Sequence, residues 1–300
     1  MLRTLRSKPW LARPLFWTEV FAIINVGFIG FDVAIAHQMN AFEHSSEYIP
    51  VFYSMAAAPL LIVAMMLGGP EPATRRARPE GYAPWRVSLS RQIGLLVGFG
   101  SLVVGIAGLI LHLRADFFQN MTLKNLVYTA PFAAPLAYAG IGFLIMLSRM
   151  ADGRTREWAS WVVVLAAGGW AGNFVLSLGD HAQNGFFHPS EWTSVIGAAI
   201  AFGFMTAVLV VPDNRPLRLL AAGVMMLQMA VGLAGFGLHV YANLARPSAT
   251  LWASFLYGAP AFAPLLFNDL ALLGLLGIWA LAVNRNGEPA RAEVELQPVA

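Results

Sequence analysis

Eight long apolar runs constrain this chain more than any other feature. They lie at roughly 17–38, 48–68, 93–113, 126–148, 158–179, 192–211, 217–239 and 253–284. Each approaches the ~20 residues that a helix needs to cross a hydrocarbon core. The runs are continuous and rich in Ala, Leu and Gly, which selects helices over the alternating pattern of barrel strands. The expected fold is an all-α integral membrane protein with eight transmembrane helices. Composition agrees, with 58% hydrophobic and 12% charged residues, against roughly a quarter charged in soluble domains.

Charge then sets the orientation. Arg114, Lys124 and Arg246 fall on one side of the eight runs, and the other sixteen of the nineteen Lys and Arg residues fall on the opposite side. Cytoplasmic loops carry the excess of basic residues, so both termini are expected in the cytoplasm and the protein in the cell (inner) membrane. The same residues account for the net charge of +3 without any nucleic-acid partner. The surroundings expected are the lipid bilayer and other membrane protein subunits. The basic start MLRTLRSKPWLARPLFW leads into an apolar run that reads as a retained first span. The chain has no cysteine, which excludes disulfides, thiolate metal sites and covalently attached c-type haem.

A repeat divides the chain. HQMNAFEHSSE at 37–47 and HAQNGFFHPSE at 181–191 match at His37/His181, Asn40/Asn184, Phe42/Phe186, His44/His188, Ser46/Ser190 and Glu47/Glu191. A second pair of segments matches as Leu111-His112 with Leu238-His239, Tyr128-x-Ala-Pro131 with Tyr257-x-Ala-Pro260, and Pro135-Leu136 with Pro264-Leu265. The reading is two tandem four-helix halves related by an axis along the membrane normal. The boundaries are a cytoplasmic segment 1–16, a first half 17–150 with an inner linker at about 69–92, a second half 156–285, and a cytoplasmic tail 286–300. Pro59, Pro135, Pro264 and Gly203 follow the histidines at similar distances, where each can kink a helix and free a carbonyl.

The six histidines all fall at the outer ends of the runs, and His37, His112, His181 and His239 each close one odd-numbered run. Two readings stand side by side. Imidazoles on neighbouring helices can clamp a haem iron or bind copper, iron or zinc. Alternatively, a histidine near a helix C-terminus interacts favourably with the dipole and the last carbonyls. His44, Glu47, His188 and Glu191 are likewise either metal ligands or helix caps. With the histidine at the cap, Glu47 and Glu191 fall three residues on, where they reach back to the cap N–H. Asn40 and Asn184 suit a left-handed C-cap. Asp32, Asp180 and Asp269 are intramembrane carboxylates, candidates for proton paths or for helix–helix hydrogen bonds.

The leading functional expectation is a multi-pass membrane protein binding haem b or a transition metal at its extracytoplasmic face, for redox chemistry or cofactor handling. The cofactor-binding candidates are His37, His112, His181 and His239. The wider metal-ligand set adds His44, Glu47, His188 and Glu191. In outline this is similar to the haem A synthase family, which also has eight spans in two related four-helix halves with outward histidines. That family's histidines belong to even-numbered spans, and its Glu-x-x-x-His-Arg signature is absent here, so the likeness is one of architecture. The alternatives are a small-molecule or ion transporter, or a noncatalytic subunit or assembly factor of a larger membrane complex. No nucleotide-binding glycine loop, nucleophile elbow or His-Glu-x-x-His pattern occurs.

Overall fold

The structure, a computed structural model, describes residues 12–68, 83–246 and 248–284. Every regular element among them is helical. In chain order these are α1 (Pro14–Gln38), α2 (Tyr48–Gly68), α3 (Pro84–Ala115), short α4 (Leu123–Tyr128), α5 (Leu136–Met150), α6 (Arg156–Gln183), α7 (Trp192–Val210), α8 (Arg215–Ala245), short α9 (Leu251–Leu256) and α10 (Leu266–Asn284). Single 3₁₀ turns, Ser45–Glu47, Pro189–Glu191 and Ala263–Leu265, precede α2, α7 and α10. Seven of these helices, counting the leading turns, are long and apolar enough to cross a membrane. The chain is an all-α, multi-pass membrane protein by this measure.

The helix starts follow from local chemistry. Pro14 and Pro84 open α1 and α3, where a fixed φ and a missing N–H cost nothing. Thr155 Oγ1 accepts from the Trp158 N–H at 3.2 Å to cap α6, and Asn214 Oδ1 accepts from the Leu217 N–H at 3.0 Å to cap α8. α4 and α9 share a device, for Thr122 and Thr250 accept from the N–H groups of Asn125 and Ala253 at 3.2 and 3.1 Å.

Three expectations are corrected. The fourth apolar run is not one span. It breaks at Thr129–Pro135, leaving α5 with only 15 residues, about 22 Å of helix against a core of about 30 Å. The eighth run breaks in the same way between α9 and α10. The cause is shared: Pro131, Pro135, Pro260 and Pro264 lack the N–H groups that a continuous helix would use. Of the prolines expected to kink helices, only Pro59 stands inside one, whereas Pro135 caps α5 and Pro264 lies in a 3₁₀ turn. The inner linker is also shorter than expected, since α3 already begins at Pro84. The rest of that linker, at 69–82, and the tail lie outside the described residues.

Packing arranges the helices in two rings. In one, α1 packs on α2, α2 on α3, α3 on α5, and α5 on α1. In the other, α6 packs on α7, α7 on α8, α8 on α10, and α10 on α6. The rings meet where α1 touches α10 and where α5 touches α6. Small residues permit the close approaches: a Cβ on Gly30 of α1 would collide with Cβ of Ser54 on α2, and one on Gly142 with the backbone of α3. The larger core centres on Trp158, Val162, Val163, Ala166 and Trp170 of α6 against Ala271 and Ala280 of α10.

One feature of the first ring carried no sequence expectation. Glu19 of α1 forms an ion pair with Arg149 at the end of α5, and both are buried, at 1% and 0% exposure. Removing one partner strands the other charge, which costs about 3–5 kcal/mol at buried sites, whereas replacing both with apolar groups is often neutral. Glu19→Ala is therefore expected to lower the thermal unfolding midpoint in detergent sharply. The double variant Glu19→Ala/Arg149→Met should recover most of the loss.

Candidate functional site

The repeated segment builds the same turn twice, at the C-terminal ends of α1 and α6. After His37 the backbone enters the left-handed region at Ala41 and Phe42, both with φ 53°; after His181 it does so at Gly185 and Phe186, with φ 69° and 52°. The expected left-handed positions, Asn40 and Asn184, are displaced by one to two residues; Asn184 itself is right-handed. The displaced turn is closed by Phe42 N–H donating to the His37 carbonyl at 3.2 Å and Phe186 N–H to the His181 carbonyl at 3.0 Å. Each strained phenylalanine then stacks on the first residue of the next helix: Phe42 on Tyr48 at 4.3 Å and Phe186 on Trp192 at 4.0 Å between ring centres. Left-handed backbone costs a bulky residue about 1–2 kcal/mol, and the stack offsets part of it.

His44 and His188 sit at exposed N-cap positions. Glu47 Oε1 accepts from the His44 backbone N–H at 3.3 Å, and Glu191 Oε1 from that of His188 at 3.2 Å. These are the reciprocal bonds of a capping box. One oxygen of each carboxylate is thereby engaged. Glu47 Oε2 is buried without a hydrogen-bond donor. Glu191 Oε2 lies 3.3 Å from His181 Nδ1.

The other four histidines are half-buried and share one property. Each presents Nδ1 to an oxygen. His37 Nδ1 donates to the Glu47 carbonyl at 3.0 Å, His112 Nδ1 to the Pro131 carbonyl at 2.9 Å, and His239 Nδ1 to the Pro260 carbonyl at 2.8 Å. His181 Nδ1 faces the Glu191 carboxylate. Glu191 Oε2 makes no hydrogen bond with His181, whereas a carbonyl oxygen can only accept, so Nδ1 of His37, His112 and His239 carries the proton and a neutral ring keeps its lone pair on Nε2. This is the orientation in which metal-bound histidines are ordinarily held.

The proline breaks in the fourth and eighth runs supply two of those oxygens. Unwinding at Thr129–Pro135 turns the Pro131 carbonyl, which also accepts from the Ala134 N–H at 3.1 Å, toward His112, while Thr129 Oγ1 donates to the His112 carbonyl at 2.7 Å. Unwinding after α9 turns the Pro260 carbonyl, which also accepts from the Ala263 N–H at 3.3 Å, toward His239. There Asn243 holds Ala259 through both backbone groups, at 2.8 and 2.7 Å. The Tyr-x-Ala-Pro match was visible in the sequence, but its link to the histidine 19 or 21 residues before the proline was not.

Folding also brings the histidines together in pairs. His37 and His112, on helices that lie across the first ring, have ring centres 6.3 Å apart at an interplanar angle of 64°. Glu47 lies within electrostatic reach of His112. In the second ring His239 and Glu191 both lie within electrostatic reach of His181. Among the described residues no three His, Asp or Glu side chains converge as a metal cage. The arrangement therefore brings two imidazoles into ring contact in the first ring, whereas His181 and His239 of the second make no such contact. Of the carboxylates singled out from the sequence, Asp32, Asp180 and Asp269 are all half-buried, Asp180 one residue before His181.

The two turns differ at one informative position: Ala41 stands where Gly185 stands in the second. Nothing lies within 4 Å of a Cβ built on Gly185, so only backbone preference is at stake. Ala41→Gly is expected to stabilise the protein by about 0.5–1 kcal/mol, and Gly185→Ala to destabilise it by about 1 kcal/mol. Unfolding midpoints of the two variants measured side by side check the opposite signs.

No protein-family model, no curated protein and no solved structure matches the chain.

Proposed function

We propose that this chain binds haem b or a transition metal (copper, iron or zinc) through the paired histidines His37/His112 and His181/His239 at its extracytoplasmic face. The observation that carries the reading is the Nδ1 anchoring of His37, His112 and His239, which leaves their Nε2 lone pairs available. Spacing supports it. Two imidazoles on opposite sides of one metal, through bonds of about 2.0–2.1 Å, have ring centres about 6 Å apart, against about 5 Å at a tetrahedral angle, and His37 and His112 stand at 6.3 Å. Two ligands suffice for a haem iron held from both faces. A bare ion would complete its coordination with water, since among the described residues no third His, Asp or Glu converges on either pair. His44 and His188 serve as N-caps in this reading.

We further propose two tandem halves, 17–150 and 156–285, each with four spans, the fourth and eighth shortened by the proline breaks. The identical packing order of the two rings and the duplicated turn support this. Both termini then lie in the cytoplasm of a cell whose inner membrane holds the protein, with the basic residues inside. Redox chemistry or cofactor handling is the role that such a site serves, alone or beside other membrane subunits.

Purified protein is expected to show a Soret band or, without one, a stoichiometric metal by elemental analysis. His112→Ala and His239→Ala should each weaken binding by at least about tenfold while the protein stays monodisperse. Featureless spectra together with metal-free protein would defeat the proposal.

Orientation has its own test, helped by the cysteine-free background. A single cysteine at Phe118 should react with a membrane-impermeant maleimide in intact cells. One at Asp152 should react only after permeabilisation, and the reverse pattern would invert the topology.

A further inference from the structure

The helices of the first ring follow one another as α1, α2, α3 and α5, so α1 faces α3 across the ring axis and α2 faces α5. Two contacts cross that axis. At the C-terminal ends of α1 and α3, His37 meets His112 with ring centres 6.3 Å apart. Beneath them Tyr138 of α5 reaches Ser54 of α2: the hydroxyl oxygens are 2.8 Å apart, and both residues are 2% exposed. The Tyr138 hydroxyl donates to the Pro50 carbonyl at 3.1 Å, which leaves the Ser54 hydroxyl as the donor to Tyr138. Pro50 stands three residues after Glu47, whose carbonyl holds His37 Nδ1. The tie therefore lies about one helical turn, ~5 Å, further into the ring than the histidine pair.

This tie decides what the pair can hold. A haem gripped by His37 and His112 would stand in the plane midway between α1 and α3, which contains the ring axis and runs from α2 to α5. The Tyr138–Ser54 bond lies across that same plane one turn away, and a macrocycle, which spreads from its iron in every in-plane direction, would have to break it. A bare ion needs no such room. The pair also offers two nitrogens and nothing more. Among the described residues no third His, Asp or Glu converges on it, and the chain has no cysteine. Zinc is ordinarily four-coordinate and tetrahedral, which would bring the ring centres to about 5 Å. Cu(II) takes a square-planar or tetragonal ligand set, and non-haem Fe(II) takes a carboxylate beside its histidines. The observed separation suits two imidazoles on opposite sides of the ion, the arrangement in which a closed-shell monocation is satisfied by two nitrogens alone. Phe42 adds to this. Its ring stands edge-on to His37, 6.0 Å away at 81°, held by its stack on Tyr48, and an aromatic wall supplies no further ligand.

We infer that the His37/His112 pair is a two-coordinate site for Cu(I), held in line between the two Nε2 atoms. The inference rests on the reading of this pair as a metal site and narrows it to one ion and one coordination number. Cu(I) enters and leaves as the monocation, so no electron is transferred and no oxidant or reductant is required. Both imidazoles are half-buried, which leaves the pair reachable from the end of the ring. The inference is confined to the first ring. At the positions matching Ser54 and Tyr138 the second ring carries Ala198 and Phe267, which cannot make the tie, and His181 and His239 make no ring contact.

Metal-free full-length protein in detergent, titrated anaerobically with Cu(I) against a chromogenic Cu(I) chelator, tests this. The wild type should take up one equivalent of Cu(I) that His112→Gln protein does not. Glutamine keeps a side-chain donor for the Pro131 carbonyl but offers no nitrogen lone pair, and the unfolding midpoint shows that the variant is folded. X-ray absorption of the Cu(I)-loaded wild type should give a first shell of two nitrogens and the pre-edge peak of linear coordination. That spectrum needs no variant, so it decides even where the substitution prevents folding. Equal Cu(I) uptake by wild-type and folded His112→Gln protein, or a first shell of three or more ligands, would overturn the inference. So would His112-dependent binding of added haemin or zinc by protein with no affinity for Cu(I), an outcome that leaves the pair a metal site of another kind. Protein that binds none of Cu(I), zinc and haemin would overturn the inference and the metal reading together.

Discussion

Hydrocarbon offers no hydrogen-bond donor to a freed backbone carbonyl, and every departure from helix in this chain has to answer that constraint. The fourth and eighth apolar runs depart from helix at paired prolines. The carbonyls of Pro131 and Pro260 each keep one backbone donor, the Ala134 N–H at 3.1 Å and the Ala263 N–H at 3.3 Å, and take the Nδ1 groups of His112 and His239 as a second. His37 plays the same part for the Glu47 carbonyl at the start of α2. The histidines are thus part of the solution to a backbone problem. That solution fixes their tautomer, their ring orientation and their depth.

The capping reading and the ligand reading of these residues are therefore compatible. A cap through Nδ1 uses one nitrogen of the ring and orients the other. The sequence reading set the two roles against each other because it treated the histidine as one polar unit. His44 and His188 differ in kind: they stand at exposed N-caps, and their partner carboxylates close back on backbone N–H groups. The duplicated motif thus separates into a structural end, His-x-x-Glu, and an end that presents an imidazole.

The all-helical, multi-pass character was legible because apolar length is written directly in the chain. The pairing of His37 with His112 was legible only as one histidine per hairpin, since nothing in local sequence says which helices sit across a ring. The breaks in the fourth and eighth runs were misread as continuous spans, because hydropathy does not register missing N–H groups. Asn40 and Asn184 were assigned the left-handed turn by residue preference, and tertiary stacking of Phe42 on Tyr48 and Phe186 on Trp192 moved it. Glu19 went unnoticed inside FWTEVFAII, although a lone carboxylate in an apolar run is itself a signal. Its partner Arg149 had been counted only as an anchoring charge.

The central claim is that the Nε2 atoms of the two histidine pairs are placed to share a metal. Crystals of the protein, as purified with its own cofactor or soaked in zinc, would test it through anomalous difference maps at the iron and zinc edges. The account predicts peaks between His37 and His112 and between His181 and His239, within bonding distance of Nε2. Peaks confined to His44 and His188, or none at either pair, would contradict it.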